Sequence, residues 1–255
     1  MQILKILLNK EFPENKIYVK GVESTQTYHQ EIRNIIEEKW KGETKKSEER
    51  GMPIFNGRLV RFEGFEANKK LTFFTSNTSF KDVIGIRPAN SIVSEYGLQY
   101  TANALSVNIV CTTKDKKIIV LNRYFAGYGD YWSLLSSFAY ARRDKKNPAL
   151  AVRNCLKKEL LINSDKIVKN IMIGLYGQPE IAETTAVFKT KISLDTDQIV
   201  KNLDKMDSSQ KLFYDYKFLD DKKNSIVNFL RRYKGKIHQG AYTSLKLYLK
   251  TKKSE

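Results

Sequence analysis

Hydrophobic and polar positions follow two different periodicities along this chain, which predicts strands mixed with helices. Residues 105–113 are rich in apolar side chains, and 117–123 follow after a Thr-Lys-Asp-Lys turn, a pattern typical of a buried hairpin. Residues 171–176 and 183–192 have the composition of further strands. Between these two pairs, apolar residues recur at helical spacing from Pro148 to Leu161, so a helix is predicted there.

The same patterns extend to both ends of the chain. Further strands are predicted at 3–8, 16–22, 58–66, 71–75, 132–139 and 211–218, further helices at 30–41, after Thr78, and at 196–206, 225–233 and 240–249, and loops at 42–51 and 142–147. This order of elements predicts an α/β fold around one mixed sheet. We expect an N-terminal extension of strands, an amphipathic helix and a hairpin over residues 1–100, packed on a core domain over 101–255.

Length and composition narrow the class of protein. A chain of 255 residues with 41% hydrophobic residues can bury a large core, and the sequence holds no run of 18 apolar residues that would cross a membrane. The first residues do not have the pattern of a signal peptide, so we expect a cytoplasmic protein. Its two cysteines, Cys111 and Cys155, are expected to be buried reduced thiols. With only His29 and His238 beside them, no zinc site is predicted.

The chain is strongly basic, with 45 Lys and Arg against 28 Asp and Glu and a net charge of +17. Residues 141–170 hold nine basic and three acidic side chains, and residues 211–255 hold twelve and four. This balance is compatible with an anionic partner. It is equally compatible with lysines that only solvate the surface.

Two stretches resemble the Nudix hydrolases. A helix ending in Trp is followed by Phe-Asn-Gly, an Arg-containing strand and Thr-Ser-Phe-Lys-Asp before a Gly, which is similar to the N-terminal region of UDP-sugar diphosphatases. The matching residues are Asn56, Gly57, Arg58 or Arg61, Thr78, Phe80, Asp82 and Gly85. The hairpin over 106–123, whose second strand ends in Arg123, leads into a strand, a loop and a helix. These resemble the family's signature box, Arg-Glu-apolar-x-Glu-Glu-x-Gly-apolar, when its arginine is placed on Arg153.

The resemblance implies a Nudix-type α/β/α sandwich. The box of this chain differs from that of the family at the catalytic positions. Nudix hydrolases cleave nucleoside diphosphates linked to another group, with metal ions held by the helix glutamates. Those glutamates fall here on Asn154, Lys157 and Lys158. A divalent ion 4 Å from one ammonium group meets roughly 8 kcal/mol of repulsion at an effective dielectric of 20. We therefore expect no metal site and no cofactor, with Mg²⁺ needed only if residual activity exists.

The leading hypothesis is a degenerate Nudix protein that binds a nucleotide or nucleotide-sugar ligand, or another phosphorylated ligand, with little or no hydrolysis. The candidate ligand-binding residues are Arg123, Trp132, Arg153, Lys157 and Lys158, with Phe125, Tyr128 and Tyr131 as further aromatic candidates. Arg153 is expected to order the loop by pairing with Asp144.

Three alternatives remain. One is an active diphosphatase with a relocated acidic site made of Asp144, Glu159, Glu180 and Glu183, although Glu159 also fits a solvated helix position. Another is a nucleic-acid or ribonucleoprotein-binding scaffold that uses its basic surface. The third is a protein-interaction or effector-sensing domain with a small nucleotide as its signal.

Overall fold

The computed structural model describes residues 4–24, 26–51, 54–86, 100–125, 129–178, 183–207 and 211–252. The strands are β1 Lys5–Leu8, β2 Phe12–Pro13, β3 Ile17–Gly21, β4 Arg58–Ala67, β5 Leu71–Ser79, β6 Ala104–Thr112, β7 Lys117–Phe125, β8 Gly129–Ser133, β9 Leu135–Phe138, β10 Ile167–Gln178, β11 Glu183–Ile192 and β12 Asp215–Asp220. The α-helices are α1 Gln30–Glu49, α2 Phe80–Ile86, α3 Pro148–Leu160, α4 Thr196–Asp204, α5 Lys223–Arg232 and α6 Gln239–Thr251.

All the strands belong to one mixed sheet. Its main path runs β1, β10, β11, β6, β4, β5 and β3, with β6 and β11 parallel and most other neighbours antiparallel. Near the centre, β6 pairs with β9 through residues 106–109 and with β7 only where Thr112 meets Ile118. β8 and β12 extend the sheet beyond β7.

The sheet separates two cores because successive residues of a strand point to opposite faces. On β6, Leu105, Val107 and Ile109 join the core under α3 and α4, whereas Val110 joins the core under α5 and α6. A third cluster lies under α1 and α2. Helices therefore cover both faces of a mixed sheet, and the predicted α/β/α sandwich is confirmed.

Most predicted elements are present, but several boundaries are wrong, and the strands predicted over 71–75 and 171–176 are longer, at Leu71–Ser79 and Ile167–Gln178. The first helix does not end at Lys41, because it continues through the segment predicted as a loop to Glu49. The strand predicted over 132–139 is interrupted at Leu134, where pairing passes from β7–β8 to β6–β9. The strand predicted from Lys211 begins at Asp215. No helix in the described part of the chain is long and apolar enough to cross a membrane.

Strands from both predicted units take part in this sheet. β4 meets β6 where Arg61 faces Ala104, and β1 and β2 pair with β10. The predicted N-terminal extension is thus hydrogen-bonded to the core, while the boundary near residue 100 stays a prediction.

The residues of the N-terminal resemblance fix the start and the packing of α2. Asp82 accepts hydrogen bonds from the Ser79 amide and the Thr78 hydroxyl, and Asn56 accepts one from the Lys81 amide. Burial raises the pKa of Asp82, against these hydrogen bonds that lower it. A Cβ on Gly85 would lie 2.7 Å from the Cα of Ile36, so only glycine lets α1 and α2 approach this closely.

Candidate functional site

A cavity of about 790 Å³ lies between α1 and α3. Residues of α2, β6, β7, β9, β10 and β11, the segment 211–214 and His238 also line it. Its charged lining residues are Glu43, Arg50, Arg123, Arg143, Lys158, Glu159, Glu183 and Lys211, and its ring-bearing ones are Phe80, Tyr124, Phe125, Phe138, Tyr140, Tyr176, Phe213, Tyr214 and His238. This volume suits a ligand of nucleotide size.

A buried ion pair holds the wall formed by α3. Both Nη atoms of Arg123 donate to the Glu159 carboxylate, at 3.1 and 2.7 Å, and the two side chains are 7% and 4% exposed. Burial lowers the pKa of Arg123, but the adjacent carboxylate more than compensates, so the net pKa is raised. The interpretation of Glu159 as a solvated helix residue is therefore wrong. Its side chain is buried and paired with an arginine from a strand 36 residues earlier.

The thiol of Cys155 lies beside this ion pair. Burial, followed by the negative charge of Glu159, raises the pKa of Cys155 well above its usual value. Cys111 is also buried, and burial raises its pKa to about 12. Both cysteines are free thiols, as predicted.

Asp144 organises the loop that precedes α3. Its fully buried carboxylate accepts hydrogen bonds from the Tyr140 amide at 2.7 Å, from Arg143 Nε at 2.9 Å and from Asn154 Nδ2 at 2.7 Å. Asn147 then caps α3 by accepting a hydrogen bond from the Ala149 amide. Lys145 and Lys146, which lie between Asp144 and Asn147, have φ angles of 46° and 61°. This left-handed conformation is costly for lysine.

Arg153 does not pair with Asp144, which corrects the prediction. It forms an ion pair with Glu14, whose second carboxylate oxygen accepts a hydrogen bond from Asn170 Nδ2 at 2.9 Å. Arg153 is outside the lining of the cavity. It fastens the segment between β2 and β3 to α3, and Arg143 supplies the cation for Asp144 instead.

The face of α3 that corresponds to the metal-binding glutamates of the Nudix box does not fit a divalent cation. Lys157 and Lys158 are exposed ammonium groups, and the amide of Asn154 donates to Asp144. The carboxylates of Asp144 and Glu159 are each bound by arginine. Within the described ranges, no group of three His, Cys, Asp or Glu side chains could hold a metal ion.

The remaining candidates are dispersed. Lys158, Phe125 and Glu183 line the cavity, whereas Lys157 does not. Trp132 lies in the opposite core, packed against Phe229 and Tyr233 of α5 and its C-terminal end. Glu180 and Tyr128 lie outside the described residues, and Tyr131 packs edge-on against His238.

Several lining residues were not predicted. Arg50 at the end of α1 lies with its guanidinium 4.1 Å from the ring centre of Tyr124, and His238 stacks on Phe125 at 4.3 Å. Lys211 and Tyr214 come from a segment far from α3 in sequence. In the sequence, these lining residues were marked only by the basic and aromatic composition near the ends of helices and strands. That composition does not indicate which residues meet in the fold.

No protein-family model matches the sequence, and no curated protein matches it. Solved structures with a similar fold include a Nudix hydrolase from Nitrosomonas europaea, with 10% identity over 58% of this chain and 89% of that one and a TM-score of 0.41. The Nudix domain of Shewanella oneidensis NrtR, complexed with ADP ribose, has 12% identity over 63% and 96% and a TM-score of 0.41.

A third similar structure is the bifunctional NMN adenylyltransferase/ADP ribose pyrophosphatase of Francisella tularensis, complexed with AMP and a manganese ion. It has 12% identity over 67% of this chain and a TM-score of 0.42, and this chain spans 48% of its length. All three TM-scores lie below 0.5, so these likenesses assign no role to any residue. Two of these three structures are described as Nudix proteins, the family that the sequence also resembles.

Proposed function

We propose that this chain is a degenerate Nudix-type domain that binds a nucleoside-diphosphate-type or other phosphorylated ligand in the large cavity, with little or no hydrolysis. The observation that carries the proposal is a group of three cations that line one cavity from three separate segments. These are Arg50, Lys158 and Lys211, and none of them has an ion-pair partner within the described ranges. Phosphate oxygens are suitable partners for such groups.

The neighbouring charges support an anionic ligand. Arg123 and Glu159 neutralise each other, Arg143 is paired with Asp144, and Glu43 is paired with Lys46 at 2.8 Å. Glu183 also lines the cavity, and the remaining charged groups there, Arg50, Lys158 and Lys211, are positive. A phosphate group there would gain charge-assisted hydrogen bonds without displacing an existing ion pair.

The aromatic lining gives the cavity a second chemical character. Tyr124, Phe125 and Tyr140 line the same volume, as does Tyr214, which is 60% exposed. Flat apolar groups such as a nucleobase pack favourably on such rings. A ligand with one flat end and one phosphorylated end fits this lining better than a purely apolar molecule.

Weak or absent hydrolysis follows from the charge of α3. A pyrophosphatase of the Nudix type needs carboxylates that converge on a metal, and the corresponding face here carries an amide and two ammonium groups. Glu183 is a further acidic candidate that borders the cavity, and its carboxylate accepts a hydrogen bond from the Thr185 hydroxyl at 3.4 Å. One carboxylate does not replace the ligand set of such a site.

Titration calorimetry with ADP, ADP-ribose and UDP-glucose, with and without magnesium, tests the proposal. We expect binding that does not need the metal and no product by chromatography. Lys158→Gln should weaken binding about tenfold to a hundredfold, since it removes a charged hydrogen-bond donor. Lys157→Gln is the matched control, because Lys157 is exposed on the same helix but does not line the cavity.

Three outcomes would contradict the proposal. Magnesium-dependent turnover would favour the active diphosphatase with relocated acids. Equal effects of the two lysine variants would mean that the ligand does not bind in the large cavity. Affinity for mixed-sequence oligonucleotides that falls steeply with salt, with no binding of small nucleotides, would favour the nucleic-acid scaffold.

A further inference from the structure

A second, shallower cavity of about 440 Å³ lies outside the large one. Its lining residues are Arg58, Tyr140, Arg142 and Arg143, so three of the four side chains are guanidinium groups. Tyr140 and Arg143 also line the large cavity, which makes the two cavities neighbours with a shared wall.

The backbone brings these arginines together. Leu59, next to Arg58 at the start of β4, forms a bridge with Tyr140, and the Ala141 amide donates to the Arg58 carbonyl at 3.2 Å. Glycine at position 57 favours this approach, because a Cβ there would lie 3.1 Å from the Tyr140 ring. Two segments distant in sequence thus place their arginines side by side.

Arg143 is held in a defined position. Its Nε and Nη2 donate to Asp144 at 2.9 and 3.0 Å, its Nη2 also lies 3.3 Å from the Ser137 hydroxyl, and its guanidinium carbon is 4.3 Å from the Tyr140 ring centre. Burial raises the pKa of Tyr140, so the phenol stays neutral and adds no negative charge. A guanidinium fixed in this way needs little further ordering to bind an anion.

Arg58 and Arg142 are both exposed, and neither has an ion-pair partner within the described residues. Three positive charges therefore surround this cavity, against the single negative charge of Asp144 behind it. A phosphate group carries more than one negative charge and several oxygens, and guanidinium groups bind such oxygens in pairs. A carboxylate would offer two oxygens and one charge to the same three donors.

We propose that Arg58, Arg142 and Arg143, with Tyr140 between them, form a second phosphate-binding site that takes a phosphomonoester or phosphodiester group. The site does not depend on a ligand in the large cavity. Because the two cavities share Tyr140 and Arg143, a single ligand with two separated phosphate groups also fits both. That last step rests on the proposed function.

Side-chain NMR of the arginine Nε–H groups, during titration with inorganic phosphate, tests the site alone. We expect saturable shifts for these arginines in the wild type and at least a tenfold weaker response in Arg58→Gln/Arg142→Gln. The double variant Arg231→Gln/Arg232→Gln is the matched control, because it removes the same charge from an exposed part of α5. Equal responses in the two double variants, or no saturable shift in the wild type, would overturn the proposal.

A second arm distinguishes the source of the phosphate. A 5′-phosphorylated dinucleotide and a mononucleoside 5′-phosphate are titrated into the same variants. If Arg58→Gln/Arg142→Gln weakens the dinucleotide at least fivefold more than the mononucleotide, one ligand spans both cavities. If this double variant weakens the dinucleotide, the mononucleotide and inorganic phosphate equally, the site binds a phosphate group of a ligand that does not enter the large cavity. Loss of phosphate binding in this variant, with no effect of Lys158→Gln on nucleotides, would leave this site standing and remove the proposed function.

Discussion

The two facing walls of the large cavity are built differently. Eight of the thirteen residues of α3 are buried, and the helix is tied to the sheet by the Arg123–Glu159 pair. Only three of the twenty residues of α1 are buried, and its other contacts include an ion pair between Glu37 and Lys81 of α2 and, just after its last residue, Arg50 over the ring of Tyr124. We infer that α3 supplies a fixed binding surface and that α1 is the wall more easily displaced.

The largest effect is expected from breaking the ion pair of the fixed wall. Glu159→Ala leaves the Arg123 charge buried without its partner, and removal of one member of a buried pair costs about 3–5 kcal/mol of unfolding free energy. Urea denaturation measures this loss. The double variant Arg123→Met/Glu159→Leu should recover most of it, since neither charge remains. A loss below about 1 kcal/mol in the single variant would mean that the pair does not fasten α3.

The next effect should fall on the displaceable wall. Gly85→Ala would place a methyl group 2.7 Å from the Cα of Ile36, and overpacking of this kind costs about 1–3 kcal/mol. Hydrogen exchange should become faster in α1 and α2 while α3 keeps its protection. Gly42→Ala is the control, because a Cβ there meets nothing within 4 Å. Equal loss of protection in α3 would contradict the difference between the walls.

A pH dependence should come from the thiol in the fixed wall. Burial raises the pKa of Cys155, so the unfolded chain loses the thiol proton first, near pH 8.5. The stability linked to this group is complete below that pH and declines as pH rises, by up to about 1.4 kcal/mol per pH unit. Urea melts between pH 7.5 and 9.5 should show a shallower decline in Cys155→Ala than in the wild type. Identical slopes would mean that this thiol titrates normally.

The smallest effect is expected at the outer edge of α3. Arg153→Ala removes an ion pair with Glu14 in which both side chains are partly exposed, and such pairs contribute about 0–1 kcal/mol. Thermal melting should therefore change little, and calorimetry should give unchanged nucleotide affinity. A clear loss of affinity would bring Arg153 into the binding site after all.

The sequence predicted the sheet well because alternation and buried apolar runs are local signals. The predicted strand at 183–192 has the same limits as β11, and the helix from Pro148 ends within one residue of its prediction. The error at α1 has a local cause too: its last turns are polar, and a helix that packs by one narrow face needs few apolar residues.

The site was less predictable because its contacts join distant segments. Nothing near Glu159 in sequence indicates that Arg123 comes to it, and nothing near Arg153 indicates Glu14. Trp132 looked like a ligand-stacking residue because it precedes the box, but its side chain points to the α5 face of the sheet. These pairings depend on the register of β7 against β8 and on the path of the N-terminal strands, which a single sequence does not specify.

The loop before α3 contains Asp144, whose carboxylate binds Arg143, a residue that lines both cavities. Two adjacent lysines adopt left-handed backbone conformations there, so the local sequence does not favour the loop's shape and Asp144 must hold it. The same carboxylate orients Arg143 and receives Asn154 from α3. A ligand in either cavity that shifts Asp144 would therefore alter the shape of the other cavity. Binding of one ligand would then change the affinity for a second.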